Sequence, residues 1–328
     1  MAQSGAKVKS TSPPKPDVFR PNPDRQALAD THHMIRLRSA SGGPMTPERM
    51  AAARAGADAR PAEHHVVELG VVPGPGGDIE VRIIRPKGPA SAVLISVHGG
   101  GWIIGSAADD DWLNDQLALR SQVATVSMDY RLAPENPHPA ALQDVAAVIS
   151  WVGNRSLSEF GTDRLLISGR SAGAHLAMHA TIALRETRSD LLQRVAAVNL
   201  TYGVYDISMT PSMRRVSDEA LIISREGHTR FLDFAFPSLD AEARRDPSIS
   251  PLYADRAGLP PALFSVGTLD PLMDDTLFAA ARWESAGNSA QLDIWPDCTH
   301  LFDTYEPVVG GAFADRLSSW FNAQLHTA

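Results

Sequence analysis

The sequence predicts an α/β domain in which a mostly parallel central sheet carries helices on both faces. Short, nearly continuous apolar runs recur along the chain, and longer helix-compatible stretches separate them. Strands of this kind are typical of parallel sheets that are buried on both faces. The 328 residues are 44% hydrophobic and 21% charged, so the chain has the length and composition to bury a large core.

The N-terminal part of the sequence predicts a tail followed by two helices. Residues 1–22 are polar and proline-rich, lack the apolar centre of a secretory signal, and are expected to form a flexible tail. Residues 24–40 show mixed helical periodicity. A second helix is predicted over 46–57, with Thr46 as its N-cap and Pro47 at its first helical position.

Strands and a final helix are predicted after this part. The first two strands lie at 66–69 and 79–84, with the turn-rich segment 73–78 between them. Five further apolar runs predict the parallel strands, at 92–97, 123–128, 165–168, 195–200 and 262–266. The stretch 311–321 has apolar residues at positions i, i+4, i+7 and i+8, which predicts an amphipathic helix.

One interval is too long for a simple connection between neighbouring strands. Sixty residues, 202–261, separate two of the predicted strands, and much of this interval is helix-compatible. Residues 202–249 are therefore expected to form a cap insertion, together with the N-terminal cap helices of residues 23–60. The remaining parts, 61–201 and 250–328, are expected to form the main α/β domain.

Charge and cysteine content argue against several classes of protein. The net charge of −8 and the pI near 5.7 disfavour a nucleic-acid binder, which normally presents a basic face. No apolar run of the sequence is long enough to span a membrane. The one cysteine, Cys298, allows no disulfide within the chain, which fits a reducing compartment, and it is expected to pack in the core. A cytoplasmic location is therefore expected.

A serine motif follows the predicted strand 165–168. The segment 169–173, Gly-Arg-Ser-Ala-Gly, matches G-x-S-x-G and opens a helix-compatible stretch. A tight strand-to-helix turn of this kind holds its serine, here Ser171, in a strained backbone where it can serve as a nucleophile. Taken alone, the match leaves open an ordinary serine in a βα turn.

A nucleophilic serine needs a base, and the base needs an acid that orients it. In the chain order serine, acid, histidine, the candidates are Asp270, after the strand 262–266, and His300, after the next strand. Because parallel strands end at one edge of the sheet, these side chains are expected to meet there. Asp274 and Asp275 are alternative acids, expected to lie a turn into the following helix.

Three consecutive glycines follow the predicted strand 92–97, within the segment His-Gly-Gly-Gly-Trp at 98–102. Backbone N–H groups of such a loop can donate to the negative oxygen of a tetrahedral intermediate without interference from side chains. Donors are expected from residues 99–101 and from Ala172, the residue after the serine. The alternative is a flexible glycine turn, against which the ordered serine, acid and histidine argue.

Together these motifs resemble the hormone-sensitive lipase group of α/β-hydrolase esterases, on its bacterial side. The resemblance extends over residues 64–322. It is carried by HGGGW at 98–102, DYRLAPENPHPA at 129–140, GRSAG at 169–173, DPLMDD at 270–275 and TH at 299–300.

The resemblance implies an α/β-hydrolase fold with a helical cap, and a function. Ser171 would be the nucleophile, His300 the base and Asp270 the orienting acid. Three backbone N–H groups would form the oxyanion hole, those of Gly99, Gly100 and Ala172. The resemblance implies no metal and no organic cofactor.

One position departs from the pattern of that group. Arg170 stands beside the predicted nucleophile, where the group usually has an acidic residue. A cation there could disfavour a protonated His300, or it could pair with Asp303, or it could point to solvent. The sequence leaves these alternatives open, and we expect Arg170 to shift the pH profile of activity.

Other residues near the motifs are predicted to support the site or to line it. Arg131 and Glu135 are expected to form an ion pair. His175 and His179 have the spacing of zinc ligands on a helix, but without a third ligand they are expected to pack. Three aromatic residues are candidates for the walls of a substrate pocket: Trp102, Tyr205 and Phe302.

The function expected from these patterns is the hydrolysis of small carboxylic esters, with short or medium acyl chains, through an acyl-enzyme intermediate. A homodimer is also expected, because dimers are common in the resembled group. Two alternatives stay open: an amide or formamide hydrolase with the same triad, and a ligand-binding protein on an inactive hydrolase scaffold. The presence of serine, acid and histidine argues against the second.

Overall fold

The computed structural model describes residues 18–21, 24–40, 46–55, 60–217, 221–305 and 307–326. Within these residues eight strands form one sheet. The strands are β1 Val67–Gly74, β2 Gly77–Ile84, β3 Ala92–Val97, β4 Val123–Met128, β5 Leu165–Arg170, β6 Val195–Thr201, β7 Ala262–Gly267 and β8 Ala290–Trp295. Apart from residues 18–21, the predicted N-terminal tail lies outside the described part of the chain.

Helices connect and cover the strands. They are α1 Arg25–Ala40, α2 Pro47–Ala55, α3 Asp111–Ser121, α4 Ala140–Phe160, α5 Ala172–Thr187, α6 Ser189–Leu192, α7 Pro211–Arg215, α8 Arg225–Ala235, α9 Met273–Ser285, α10 Phe302–Tyr305 and α11 Pro307–His326. Helices α7 and α8 lie in the predicted cap insertion. No helix of the described residues combines the length and apolar character that crossing a membrane requires.

The sheet is mostly parallel, as the sequence predicts. Its strand order is β1-β2-β4-β3-β5-β6-β7-β8, and the pairs from β4 to β8 are all parallel, whereas β2 pairs antiparallel with both β1 and β4. The segments that follow β3, β5, β7 and β8 therefore leave the sheet at the same edge. These segments carry the glycine loop, the serine motif, and the predicted acid and base.

The first hairpin differs from its prediction. Strand pairing continues through Pro73 with Asp78 and through Gly74 with Gly77, so the turn is shorter than the predicted 73–78. Proline and glycine are tolerated here because β1 is an edge strand, where an unpaired backbone group can face water.

Two apolar cores cover the two faces of the sheet. Val93 and Ile95 of β3 pack in the core that includes α4 and α5, while Leu94 packs in the core that includes α3 and α11. The alternation follows from the two-residue period of a strand. The predicted amphipathic helix is confirmed, because α11 buries Phe313 and Phe321 fully.

The ion pair expected between Arg131 and Glu135 is wrong. Arg131 instead binds the buried carboxylate of Asp144 on α4, at 2.8 Å, while Glu135 pairs with Arg54 of α2 at 3.0 Å. A buried carboxylate needs a nearby cation more than an exposed one does. Asp144 is buried and Glu135 is exposed, so the arginine turns toward the helix.

Candidate active site

Ser171 lies in a strained turn between β5 and α5. Its backbone has φ 53° and ψ −122°, a conformation that residues other than glycine rarely adopt. The glycines on either side are required by close backbone contacts. A Cβ at Gly169 would lie 2.3 Å from the carbonyl oxygen of Gly173, and one at Gly173 would lie 2.0 Å from that of Val97. The turn therefore admits glycine alone at both positions.

The three predicted catalytic side chains meet at the edge of the sheet. Nε2 of His300 lies 2.9 Å from Oγ of Ser171, and Nδ1 lies 2.8 Å from Oδ2 of Asp270. All three residues are at least nine-tenths buried. Because the carboxylate can only accept, Nδ1 carries the proton and Nε2 is left to accept the serine hydroxyl. The other carboxylate oxygen of Asp270 accepts from the N–H of Leu272 at 2.8 Å, which fixes its orientation.

The two alternative acids do not reach the histidine in this structure. Oδ1 of Asp275 accepts hydrogen bonds from the N–H groups of Tyr205 and Asp206, and its Oδ2 accepts from the hydroxyl of Thr210. Asp274 accepts from the N–H of Ser212 at 2.7 Å. Both carboxylates hold the first part of the predicted cap insertion against α9.

Contacts to its carbonyl groups orient the glycine loop. The carbonyl oxygen of His98 accepts from the hydroxyl of Tyr130 at 3.0 Å, and that of Gly99 contacts Nδ1 of His98 at 2.7 Å. In a trans peptide the N–H points away from the carbonyl. The N–H groups of Gly99 and Gly100 therefore point away from these partners. A Cβ at Gly99 would lie 3.3 Å from that of Ser171, so the loop passes directly beside the serine.

Arg170 lies in a buried cluster of charges behind the serine, which resolves the alternatives left open by the sequence. Its guanidinium pairs with Asp110 and, at 2.9 Å, with Asp303. Asp303 also accepts from the hydroxyl of Tyr202 at 2.5 Å, and the Tyr202 ring lies 4.6 Å from that of His300. The arginine thus does not point to solvent. Its guanidinium lies between two carboxylates, one of which is on the segment of His300.

A cavity of about 600 Å³ opens onto Ser171 and His300. Trp102 lines it, as predicted. Its other walls come from the glycine loop, from the segment after His300, and from the predicted cap insertion, which begins directly after β6. The insertion contributes Val204, Ile222, Ile223, Ser224, Glu226, Gly227, His228, Arg230 and Phe231. The length of the insertion predicts that it covers the site, but no local pattern identifies these residues.

The structure does not place Tyr205 and Phe302 on the cavity, unlike the sequence-based expectation. Tyr205 is fully buried, and its ring turns back over Gly203, where an added Cβ would lie 2.2 Å from Cζ. Phe302 packs between the rings of Trp295 and Phe313, at centroid distances of 5.3 and 5.6 Å. Both side chains therefore pack in the apolar cores, Tyr205 in the core that includes α4 and α5 and Phe302 in the one that includes α3 and α11. Among the described residues of α1 and α2, none lines the cavity either.

His175, His179 and Cys298 have structural surroundings. Nε2 of His175 and Nε2 of His179 both lie within hydrogen-bond distance of the carbonyl oxygen of Ile249, at 2.9 and 3.2 Å. Burial lowers the pKa of His179 to about 4 and that of His175 well below its usual range, so both rings are neutral. In the part of the chain that the structure describes, no cluster of His, Cys, Asp or Glu could hold a metal ion. Cys298 is buried in the core, as expected.

Comparison with known proteins agrees with this geometry. A family model described as the alpha/beta hydrolase fold matches residues 94–304. The chain belongs to the α/β-hydrolase family. This α/β-hydrolase is 33% identical over 265 residues to the carboxylic ester hydrolase LipN of Mycobacterium tuberculosis, covering 77% of this chain and 69% of LipN. It is 34% identical over 242 residues to the carboxylesterase NlhH of the same organism, covering 72% and 74% of the two chains.

A solved structure extends the likeness to the whole fold. A hormone-sensitive lipase from a metagenome library superimposes with a TM-score of 0.80 and 28% identity, over 91% of this chain and 98% of the other. The resemblance to the hormone-sensitive lipase group that the motifs predict is therefore confirmed.

The choice of acid in this α/β-hydrolase can be tested by replacing each carboxylate with its amide. Asp270→Asn favours the wrong tautomer of His300, so kcat on p-nitrophenyl butyrate is expected to fall by about 10⁴-fold. In Asp275→Asn the amide keeps an acceptor for the two N–H groups and a donor for Thr210. Its kcat is expected to stay within about threefold of wild type. Equal losses in the two variants would show that the acid is misassigned.

The stability of the protein is expected to depend on pH through Asp275. Burial raises the pKa of this carboxyl to about 7, although the three hydrogen bonds that it accepts act to lower the pKa. The folded state then holds the proton more tightly than the unfolded chain, where the pKa of an aspartate is about 4. The contribution of Asp275 to stability is complete below about pH 4 and is lost as the pH rises through about 7. As the pH increases through this range, the Tm of Asp275→Asn should therefore rise relative to that of wild type. A difference in Tm that does not depend on pH would contradict the raised pKa of Asp275.

The charge cluster can be tested through Arg170. Arg170→Met leaves two buried carboxylates without their cation, which is expected to lower the free energy of unfolding by about 3 to 5 kcal/mol. The loss of a cation also favours protonated His300, so the rise of kcat/KM with pH should move to higher pH. Asp303→Asn should move it the opposite way. Denaturant titration measures the free energy of unfolding, and the pH profile of p-nitrophenyl butyrate hydrolysis measures the shift in activity. An unchanged pH profile in both variants would show that the charge cluster does not act on His300.

Proposed function

We propose that this α/β-hydrolase hydrolyses carboxylic esters with short to medium acyl chains, through a covalent acyl-enzyme intermediate on Ser171. The observation that carries the proposal is the hydrogen-bonded line from Asp270 through His300 to Ser171, which opens onto the cavity. The relatives support the ester as the bond that is cleaved, because LipN is named a carboxylic ester hydrolase and NlhH a carboxylesterase.

In the first half of the reaction, Oγ of Ser171 attacks the ester carbonyl carbon while Nε2 of His300 takes the hydroxyl proton. Asp270 holds the imidazole in its tautomer and stabilises the imidazolium that forms. A tetrahedral intermediate results, with its negative charge on the former carbonyl oxygen. As the bond to the alcohol oxygen breaks, His300 gives its proton to the leaving alcohol, and the acyl group stays on the serine.

The second half of the reaction reverses these roles with water. His300 takes a proton from a water molecule, whose oxygen attacks the acyl carbon. The second tetrahedral intermediate collapses when the bond to Oγ breaks, and the serine recovers its proton from His300. The acid is released, and the enzyme returns to its starting state.

The negative oxygen of both intermediates accepts hydrogen bonds from the N–H groups of Gly99, Gly100 and Ala172. The fixed carbonyl groups of the glycine loop support this assignment, because they hold the loop peptides in place before the substrate binds. Donors that are already oriented need no reorganisation as the charge develops. Loss of one such donor costs about 2.7–4 kcal/mol in another serine hydrolase.

The size and the walls of the cavity support small substrates. Its volume of about 600 Å³ lies within the range of small-molecule sites. Trp102, Ile104 and Phe231 offer apolar surface for a short or medium acyl chain. The homodimer, the bacterial source, the cytoplasmic location and the absence of nucleic-acid partners stay predictions from the sequence.

The proposal is tested by hydrolysis of p-nitrophenyl esters from acetate to decanoate, with wild type and Ser171→Ala side by side. We expect turnover that is highest on short or medium chains, and a loss of about 10³-fold or more in the variant. A fluorophosphonate should label wild type at one site per chain and leave the variant unlabelled. An inactive wild type, or a variant that keeps its rate, would disprove the triad.

The leaving group needs a comparison of its own. Esters are expected to be cleaved faster than the anilides of the same acyl chain, and a formate ester faster than the matching formamide. Faster cleavage of the amides would show that the protein is an amide hydrolase that uses the same three catalytic residues.

A further inference from the structure

Two side chains on the cavity wall, those of Trp102 and His228, have a buried ring nitrogen without a hydrogen-bond partner among the described residues. The wall contributed by α8 and the segment before it contains three other polar side chains, and each of these is satisfied. Oγ of Ser224 accepts from the N–H of Gly227 at 3.0 Å, and Arg230 pairs with Glu226 at 2.5 Å. His228 differs, because its Nε2 is buried and has no hydrogen-bond partner among the described residues.

His228 is a buried and neutral group on the wall of the cavity. The residue is 5% exposed and lines the same cavity as Ser171 and His300. Burial lowers its pKa to about 4, with smaller contributions in the same direction from the neighbouring His300 and Arg244. At neutral pH the ring therefore carries one N–H group and one lone pair.

The unpaired Nε2 of His228 indicates which ring nitrogen carries the proton. A buried N–H without a partner is rarer, and costs more, than a buried lone pair without one. Because Nε2 has neither a partner nor access to solvent, the proton is on Nδ1. Nδ1 has no hydrogen-bond partner among the described residues either, but unlike Nε2 it is not enclosed, so its N–H is free to meet a molecule bound in the cavity that the residue lines. Polar groups that become buried nearly always have partners, so this N–H points to a ligand.

We propose that His228 is a substrate-binding residue that donates a hydrogen bond from Nδ1 to an uncharged oxygen of the substrate, beyond the ester group itself. The inference rests on the proposed function, since the substrate is an ester. The preferred substrates are esters whose acyl or alcohol part carries a hydroxyl, ether or keto oxygen. An uncharged acceptor is expected because the His228 ring carries no charge at neutral pH, and the cation of this wall, Arg230, is already paired with Glu226.

This assignment predicts selectivity rather than rate alone. A site built to hydrogen-bond an oxygen rejects the analogue that lacks it, because its own polar group is then left unpaired. The readout is the ratio of kcat/KM between an oxygen-bearing ester and its hydrocarbon isostere. Differences in intrinsic reactivity within a pair cancel when this ratio is compared between variants.

Four matched pairs of esters test the proposal. Three are p-nitrophenyl esters: 2-hydroxybutyrate against 2-methylbutyrate, 3-hydroxybutyrate against 3-methylbutyrate, and 4-methoxybutyrate against hexanoate. The fourth places the oxygen in the alcohol, as 2-methoxyethyl butyrate against butyl butyrate. Wild type is expected to favour the oxygen-bearing ester in the pair whose oxygen reaches His228, and that ratio should fall by about tenfold or more in His228→Leu.

Two amide variants locate the donor. The side-chain amide of Asn can replace an N–H near Nδ1, whereas that of Gln replaces one near Nε2. His228→Asn should keep most of the wild-type ratio, and His228→Gln should lose it. This comparison decides the proposal even where the leucine variant fails to fold. Arg225→Gln, an exposed change on the same helix, is the matched control and should leave the ratio unchanged.

The outcomes separate this inference from the function on which it rests. Turnover of all esters with the same ratios in wild type and His228→Leu would overturn the role of His228 and leave the ester hydrolase intact. Retention of the ratio by Gln but not Asn would overturn the assignment to Nδ1. No turnover of any ester by wild type would overturn the proposed function, and this inference with it.

Discussion

The site depends on the close contact between the start of α5 and the loop that follows β3. Ser171 occupies a strained conformation, which typically costs about 1–3 kcal/mol and persists only where its surroundings enforce it. Here Gly173 lies against the carbonyl groups of Val97 and His98, with no space for a side chain. The same contact brings the glycine loop beside the serine. One close approach of two backbones therefore sets both the nucleophile and the peptide groups that face the reacting carbonyl.

Buried charge joins the segments that this contact leaves separate. Arg170 binds Asp110, ahead of α3, and Asp303, three residues after His300. A buried arginine or a buried carboxylate without any partner of opposite charge would be strongly unfavourable. The three groups therefore constrain one another, and they tie the serine turn to the segment of the histidine. An arginine at this position of the motif is compatible with the fold because these two carboxylates accompany it.

The insertion over the cavity is attached at both ends by buried side chains. Asp275 of α9 accepts from the backbone just after β6, where the insertion begins. Near its other end, His175 and His179 of α5 bind the carbonyl oxygen of Ile249. These attachments come from the same helices that flank the catalytic side chains. The position of His228 above the cavity is thus coupled to the framework that carries Ser171.

The sequence by itself determined the sheet, the strained turn, the glycine loop and the order of the catalytic residues. Each of these depends on a local pattern: an apolar run, glycines at fixed spacing, or a residue at the end of a strand. Only the tertiary structure decided that Arg170 binds Asp303, 133 residues away, that Tyr205 and Phe302 face the core, and which residues of the insertion line the cavity. Periodicity predicts which face of an element is buried, but the partner on that face comes from a distant segment. Its choice depends on charge and shape that no local window contains.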